Sequence, residues 1–194
     1  MLSFYLSNAE GVFDLTKKRG FEIVKKYEDK GINLPIRQTK NAAGYDIESA
    51  EDFVVPSIWK FGVLNVLKFI LNKGKMDDDK IAEVQKSIKP VLVPTGIKAF
   101  MQSDEVLIIA SRSSNPLKRG LSIPNGIGVV DADYYNNDGN EGELFVQLIN
   151  FFPVDYKVKK GERLAQGIFL KYLTTDDDEG GLTKRHGGFG SSGI

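Results

Sequence analysis

The 194-residue sequence contains no cysteine, a single histidine and no long uninterrupted apolar run. Without cysteine it has neither a disulfide framework nor a thiolate nucleophile. The most apolar stretch, FGVLNVLKFIL, is too short and too interrupted by polar residues to span a bilayer. The N-terminal residues lack the charged start, apolar core and small-residue cleavage site of a signal peptide. We therefore expect a cytoplasmic protein without membrane attachment.

The charge balance also favours no particular class of polyanionic partner. Lys plus Arg and Asp plus Glu each number 26. A balanced chain has no overall field that attracts nucleic acid, so any polyanion must be bound by a local cluster. The content of 41% hydrophobic and 27% charged residues is that of a globular protein. The length indicates a single domain over residues 1–194, and we expect no nucleic-acid partner.

Short runs rich in β-branched residues dominate the chain after Val91, with Gly, Pro or Asn between them. These runs are EVLIIAS, GIGVVDADY, ELFVQLINF and YKVKKGERLAQGIFLKYL. Near the N-terminus, FEIVKKY (21–27) has the same composition and is also expected to be a strand. This spacing predicts a mainly β protein, an antiparallel β-sandwich or barrel.

Residues 58–89 have a different pattern, with apolar residues three or four positions apart. These residues are Phe61, Leu64, Leu67 and Leu71, followed by Ile81, Val84 and Ile88. The acidic run Asp77–Asp79 suits the N-terminus of a second helix. The pattern predicts a helical hairpin inserted into the β protein. Whether it covers an edge of the core or contacts another subunit or partner stays open, and we expect it to lie away from the active site.

The chain ends in TTDDDEGGLTKRHGGFGSSGI (174–194). Because glycine disfavours helix and strand interiors, residues 176–194 are predicted to form a linker and a flexible C-terminal arm. One interpretation is a frayed terminus. The other is an arm that closes over a ligand, since bare N–H groups and serines bind phosphate and Phe189 can stack on a flat group.

Four further segments carry polar residues suited to chemistry. They are AAGYDI (42–47), SRSSNPLKRGL (111–121), PNGIGVVDADYY (124–135), expected to be a hairpin followed by a strand, and KGERLAQGIF (160–169). Each alone has a structural explanation, such as a turn cap or a surface charge. Together with GGFGSSG, and in this order, they resemble the five motifs of the trimeric dUTPase family. The departures are Ser114 in place of the commoner glycine, DYYNN in place of D-Y-x-G, and Ser192 in place of the usual threonine.

The resemblance implies a jelly-roll-like β-sandwich or barrel, and hydrolysis of dUTP to dUMP and pyrophosphate in a homotrimer whose sites are shared between subunits. Asp131 is then the general base that orients the attacking water. Tyr134 packs on the deoxyribose and occupies the space of a 2′-hydroxyl. The implied cofactor is Mg²⁺, held mainly by the substrate phosphates, with Asp46 acting indirectly through water.

The remaining residues implied by the resemblance bind substrate. They are Arg112, Ser113, Ser114, Asn125, Gly128, Gln166, Arg185, Phe189, Gly190 and Ser191. Arginine suits phosphate because its planar fork makes two parallel hydrogen bonds. Lys184 is the alternative to Arg185 for the terminal phosphate, Arg163 is interpreted as structural, and His186 has no assigned role. The main chain of PNGIGVV is expected to read the uracil edge.

Two other function classes stay open. A dCTP deaminase resembles dUTPases in fold, and would need a glutamate placed for proton shuttling at C4 of the base. The other class is a binding module that keeps the fold and controls a partner protein. Assays of pyrophosphate release from dUTP, dTTP, dCTP and UTP distinguish these classes.

Overall fold

The computed structural model describes residues 17–59, 63–71, 78–87 and 89–180 of the chain. Within these ranges the chain forms eleven β-strands and two α-helices. The strands are β1 (Gly20–Ile23), β2 (Tyr45–Glu48), β3 (Phe53–Val55), β4 (Val91–Pro94), β5 (Ile97–Phe100), β6 (Glu105–Ser111), β7 (Leu121–Ser122), β8 (Ile127–Asp131), β9 (Phe145–Asn150), β10 (Tyr156–Val158) and β11 (Arg163–Lys171). The helices are α1 (Leu64–Leu71) and α2 (Asp78–Ser87).

The largest layer is a four-stranded sheet in the order β2–β11–β6–β8. A three-stranded sheet, β4–β9–β7, and two strand pairs, β1–β5 and β10–β3, complete the described sheets. Every pairing between these strands is antiparallel. The predicted antiparallel, jelly-roll-like sandwich is confirmed, and the described strands do not close into a barrel.

Alternation along the strands directs one face of each sheet into the core. On β6, Glu105, Leu107 and Ile109 are buried, while the residues between them are only partly covered. The large aliphatic residues with no exposed surface in the described part of the chain are Ile47, Val93, Leu107, Leu121, Leu148 and Leu164. Each such side chain stabilises the fold by about 1.5–3 kcal/mol relative to the same side chain in water. The alternating strands of the sequence therefore supply the core.

The strand predicted at FEIVKKY is shorter than expected. β1 ends at Ile23, and Lys25–Tyr27 form a single 3-10 turn. Tyr27 is completely buried in a small second core together with Val24 and Ala50. Burial of the tyrosine ring against these residues favours the turn over a longer strand.

The prediction of a hairpin at PNGIGVV is wrong, because the strands on either side of its turn do not pair with each other. Gly126 N donates to Ile123 O at 3.1 Å and closes a turn in which Gly126 has a φ of 75°, a conformation suited to glycine. The strands on either side of this turn belong to different sheets, because β7 pairs with β9 and β8 pairs with β6. The local sequence thus predicts the turn, but the partners of its strands lie elsewhere in the chain.

The inserted segment forms two helices, as its periodicity predicts. None of the α1 residues is buried, although most of them are apolar. The insertion begins at a point that is fixed to the sandwich. Ser57 N donates to Asp155 Oδ1 at 3.0 Å, and Trp59 Nε1 donates to Phe151 O at 2.8 Å. Helix α1 therefore leaves the sandwich from an ordered base and presents apolar side chains to its surroundings.

After β11, residues 172–180 are exposed and have no regular secondary structure, as the linker prediction requires. The predicted arm continues into residues 181–194. These residues, like Phe61 and Ile88 in the insertion, lie outside the described part of the chain. Among the described helices, none has the length and apolar character that crossing a membrane requires.

Candidate active site

A cavity of about 240 Å³ lies beside β8 and brings together three residues predicted to bind substrate. These are Asn125, Gly128 and Tyr134. The other lining residues are Ile109, Ile123, Val129, Val130, Leu144, Phe145, Val146 and Gln147. None of these lining residues is charged, so the cavity suits a neutral group with a few hydrogen-bonding atoms.

The main chain forms a close wall of this cavity at Gly128. A Cβ on Gly128 would lie 3.3 Å from Ile109 Cβ, which is closer than most side-chain contacts. Just before it, Ile127 N donates to Asn125 O at 2.9 Å. The peptide groups of residues 125–128 are therefore held in place, as is needed for a backbone that distinguishes one base edge from another.

Tyr134 is locked into the core by its hydroxyl group. The residue is only 8% exposed and belongs to the main hydrophobic core. Its Oη donates to Glu143 O at 3.1 Å and accepts a hydrogen bond from Asn140 Nδ2 at 2.8 Å. The ring therefore forms a fixed part of the cavity wall.

Asp131, the predicted general base, is the last residue of β8 and is half-buried. Its neighbours Val129 and Val130 line the cavity. The 3-10 turn Ala132–Tyr134 follows directly. Asp131 and Tyr134 are thus positioned by the same strand end.

A second polar region, the arginine cluster (Arg112, Arg119 and Arg163), lies where the loop after β6 meets the start of β11. Arg112 Nε is 3.0 Å from Asp46 Oδ1, and Arg163 Nη1 is 3.2 Å from Asp46 Oδ2. Asp46 is only 9% exposed, so these two guanidinium groups balance most of its charge. Arg163, interpreted from the sequence as structural, shares this carboxylate with the predicted phosphate ligand Arg112.

The loop between β6 and β7 is fixed by a buried asparagine. Asn115 is completely buried at the start of the π-helical segment Asn115–Arg119, and its Nδ2 donates to a backbone carbonyl of β11. Arg119 Nη1 donates to Arg163 O at 3.0 Å and lies 3.2 Å from Glu162 Oε1. The predicted phosphate-binding loop is therefore held against the start of β11.

Gln166 lies on β11, in register with Asp46 on β2 and Ala110 on β6. Its Nε2 is 3.5 Å from Ser111 O. A Cβ on Gly44 would lie 2.7 Å from Gln166 Oε1. The glycine of AAGYDI is therefore required for the position of the Gln166 amide.

The structure brings the predicted residues together in two groups. One group is Asn125, Gly128, Asp131 and Tyr134. The other is Arg112, Gln166 and Asp46 with the exposed Ser113 and the half-buried Ser114.

These two groups are well separated within one chain. The residues that form one row across the central sheet are Asp46, Gln166, Ala110 and Ile127. Asp131 lies four residues beyond Ile127 on β8. With about 4.8 Å between strands and about 3.3 Å per residue, the Cα atoms of Asp46 and Asp131 are roughly 20 Å apart. A single chain therefore does not bring the predicted base next to the predicted phosphate ligands.

The described residues fit a magnesium ion carried by a nucleotide better than one caged by protein. No group of three or more His, Cys, Asp or Glu side chains suited to a metal ion occurs within the described ranges. Both carboxylate oxygens of Asp46, the predicted indirect ligand, contact arginine. Because Mg²⁺ keeps several waters and binds substrate phosphates readily, such a site needs no protein cage.

Comparison with known proteins shows the family. The dUTPase family model matches residues 79–193. The deoxyuridine 5'-triphosphate nucleotidohydrolase of Lactococcus lactis subsp. lactis (strain IL1403) is 43% identical over 178 residues, covering 91% of this chain and 99% of that protein. This chain belongs to the dUTPase family. The resemblance carried by the five motifs is confirmed.

Solved dUTPase structures have the same fold. A crystal structure of dUTPase from Streptococcus mutans has a TM-score of 0.63 and 38% identity, covering 81% of this chain and 98% of that chain. A mutant dUTPase from phage phi11 of S. aureus, whose structure shows a coordinated structural Mg(II) ion, has a TM-score of 0.56 and 17% identity. The match covers 84% of this chain and 96% of the phage chain. At 17% identity, the structural similarity shows only that the two proteins share a fold.

The fifth dUTPase motif lies outside the described residues. It contains the predicted ligands Arg185, Phe189, Gly190 and Ser191, together with Lys184, the alternative to Arg185. Their roles stay predictions, as do the roles of the residues in the two described groups.

Sequence reasoning missed residues in both groups. Phe145 and Gln147 of β9 line the cavity, and Asn115 holds the loop of the arginine cluster. The alternation in ELFVQLINF predicts a strand, but it does not show which sheet that strand joins. Arg119 lies in the polar segment singled out from the sequence, but the sequence assigns it no role, and the structure shows that it donates to Arg163 O.

Proposed function

We propose that this member of the dUTPase family hydrolyses dUTP to dUMP and pyrophosphate by attack of water on the α-phosphorus. The observation that carries the proposal is the uncharged cavity beside β8, with Asp131 at the end of its wall. Its volume of about 240 Å³ is below the roughly 300–1,000 Å³ of drug-sized sites. It therefore suits a base and sugar, with the triphosphate outside. The reaction keeps uracil out of DNA and supplies dUMP for dTMP synthesis.

Asp131 orients the attacking water and accepts its proton. Free water, with a pKa of about 15.7, does not give its proton to a carboxylate before attack begins. The proton moves as the new oxygen–phosphorus bond forms, so the position of Asp131 matters more than its strength as a base.

Arg112, Ser113, Ser114 and Gln166 bind the phosphates in this proposal. Asp46 contacts Nε of Arg112, so the guanidinium is oriented before the substrate arrives. When bound to the phosphates, Mg²⁺ supplies neutralisation of the negative charge that grows in the transition state. Asp46 is the residue that would hold the waters of that ion.

A homotrimer with shared sites explains the separation of the two groups. In such an assembly, Asp131 of one subunit faces the arginine cluster of another. The outer face of the central sheet supports this arrangement, because Ile127, Val129 and Leu170 on it are 48%, 58% and 48% exposed. Apolar surface of this kind marks interfaces between proteins.

The C-terminal arm completes the proposed site. Phe189 stacks on the uracil, while Arg185, Gly190 and Ser191 bind the terminal phosphates. Closure of the arm only over a triphosphate favours dUTP over dUMP and permits release of products. A cytoplasmic location, without nucleic-acid or membrane partners, belongs to the same proposal.

Pyrophosphate release from dUTP, dTTP, dCTP and UTP in magnesium buffer tests the reaction. We expect turnover of dUTP and little turnover of the other three. Ammonia released from dCTP would indicate a deaminase instead, and no turnover of any nucleotide would indicate a binding protein.

A mixing experiment tests the shared sites separately. Asp131→Asn and Arg112→Ala chains are each expected to be inactive alone. After co-expression, about a quarter of the sites in randomly mixed trimers would take both intact residues from different chains. Recovery of activity to about that level supports sharing, whereas no recovery in mixed trimers means that each site comes from one chain.

A further inference from the structure

Tyr134 is followed by a loop that departs from the usual D-Y-x-G pattern, and we call residues 135–143 the asparagine loop. Asn136 and Glu141 in this loop have φ values of 54° and 60°, which few residues with a Cβ adopt. Gly142 has a φ of 81°, and a Cβ there would lie 2.7 Å from Tyr134 O. Three left-handed residues therefore fold the loop directly back onto Tyr134.

Two asparagine side chains fill the interior of the asparagine loop. Asn137 Nδ2 donates to Tyr134 O and to Asn140 Oδ1, both at 2.8 Å. Asn137 Oδ1 accepts from Gly139 N at 3.0 Å and from Asn140 N at 3.1 Å. Because both ends of the Asn137 amide are engaged, the position of Asn140 is fixed by its neighbour.

The second asparagine reaches the tip of the tyrosine ring. Asn140 Oδ1 accepts from Gly142 N at 3.1 Å, which leaves Nδ2 to donate to Tyr134 Oη at 2.8 Å. Tyr134 Oη in turn donates to Glu143 O at 3.1 Å. The ring is thus held at its backbone end by the fold of the loop and at its hydroxyl end by two hydrogen bonds.

A buried lysine fixes the asparagine loop to the sandwich. Lys98 on β5 is 7% exposed, and its Nζ lies 2.7 Å from both Asn136 Oδ1 and Glu141 Oε1. Its Nζ also lies 5.1 Å from the centroid of the Tyr135 ring. The lysine holds the two left-handed residues that carry side chains, so its contacts offset the cost of their backbone conformation.

We propose that Asn140 is a positioning residue for sugar selection, because it holds the Tyr134 ring as a wall against a ribose 2′-hydroxyl. The inference rests on the proposed function, in which Tyr134 packs on the deoxyribose. An apolar pocket that can relax rejects an added hydroxyl by only about 100-fold, so stronger rejection requires a wall that does not move. The asparagine loop gives Tyr134 that rigidity.

The test is the ratio of kcat/KM for dUTP to kcat/KM for UTP. Asn140→Ala is expected to lower this ratio by roughly tenfold, mainly through faster turnover of UTP. Tyr134→Phe removes the other partner of the same hydrogen bond and is expected to lower the ratio similarly. Because both variants lose the hydrogen bond between Asn140 and Tyr134, the double variant should lower the ratio by less than the product of the two single effects.

Asn33→Ala is the matched control, because Asn33 Nδ2 donates to Glu48 Oε2 at 3.0 Å on the surface. It should leave the ratio unchanged. A purely structural role for Asn140 would lower kcat/KM for both substrates equally, so an unchanged ratio in folded Asn140→Ala overturns the inference. If wild-type protein does not turn over dUTP, the proposed function itself is wrong.

A second variant covers the case in which Asn140→Ala does not fold. Asn140→Asp keeps an acceptor for Gly142 N and Asn137 Nδ2, but it replaces the donor Nδ2 with an oxygen that faces Glu143 O. We expect it to lower the dUTP-to-UTP ratio as well. A folded Asn140→Asp protein with the wild-type ratio would contradict the inference.

Discussion

The cavity beside β8 and the arginine cluster hold their functional groups by different forces. In the cavity, neutral amide and carbonyl groups fix Tyr134, and none of the lining residues is charged. In the cluster, Asp46 lies between two guanidinium groups and Glu162 contacts Arg119. In the proposed function, the cavity recognises a neutral base and sugar by shape, whereas the arginine cluster binds phosphates with cations that carboxylates orient in advance. The two regions should therefore respond to different substitutions.

The largest effect is expected at the one charged residue of the cavity group. Asp131→Asn removes the proton acceptor while keeping its shape, so kcat for dUTP should fall by roughly 10²–10⁴ with little change in KM. Steady-state pyrophosphate release measures both constants. Asp138→Asn, at an exposed aspartate of the asparagine loop, is the control. A kcat for Asp131→Asn close to that of the control would contradict the role of Asp131.

Arg112→Lys tests the charged region, because it keeps the charge but loses the planar fork and the Nε contact with Asp46. We expect kcat/KM for dUTP to fall by roughly 10–100-fold, the cost of losing hydrogen bonds to a charged group. Arg163→Lys, on the other oxygen of Asp46, should cost less because it has no predicted contact with substrate. Equal losses would show that the two arginines act as one structural unit.

Gly44→Ala tests the arginine-cluster region by adding a side-chain atom next to Gln166, without changing any charge. The new Cβ would displace the Gln166 amide, since the two atoms would be 2.7 Å apart. Loss of one hydrogen bond to substrate should raise KM for dUTP by roughly fivefold. In a Gln166→Ala background the same substitution should change KM little. A further rise in that background would indicate that Gly44 acts by another route.

Charge removal should change stability in opposite directions in the two regions. Burial raises the pKa of Glu143, so at pH values above the ordinary glutamate pKa this carboxyl group costs the folded protein stability. Glu143→Gln is expected to raise Tm by roughly 2–4 °C at pH 7. The destabilisation by Glu143 reaches its maximum above the raised pKa and disappears below the ordinary glutamate pKa. The increase in Tm caused by Glu143→Gln should therefore become smaller as the pH falls towards 4.

Glu162→Gln is the matched variant in the arginine cluster. Glu162 accepts from Tyr156 Oη at 2.6 Å and lies 3.2 Å from Arg119 Nη1. Its neutralisation should lower Tm at pH 7. Thermal unfolding measures the Tm of both variants at two pH values. If the two substitutions shift Tm in the same direction at pH 7, the expected difference between the two regions is wrong.

The smallest effect on activity is expected from the helical insertion. Replacing residues 60–88 with a short Gly-Ser linker should leave kcat/KM for dUTP within about twofold, because α1 buries no residue in the sandwich. Steady-state kinetics on the assembled protein measures this. Loss of turnover in a variant that folds and assembles would show that the insertion contributes to the site.

Local sequence patterns predicted the strands that carry the motifs, because alternation and turn residues act over a few positions. They did not predict pairings between distant strands. Asp46 and Arg163 contact each other across 117 positions, and no local pattern in the sequence shows this pairing. The pairing of β8 with β6 instead of β7 has the same origin. A single domain over residues 1–194 stays a prediction.

The distance between Asp46 and Asp131 has a consequence for how this protein behaves at low abundance. If each catalytic centre draws on more than one chain, specific activity becomes a reporter of association. It would fall on extreme dilution and return when the protein is concentrated again. A chain that had lost Asp131 would still contribute its arginines to an intact neighbour. The activity lost through one mutant chain would therefore depend on which other chains share its assembly.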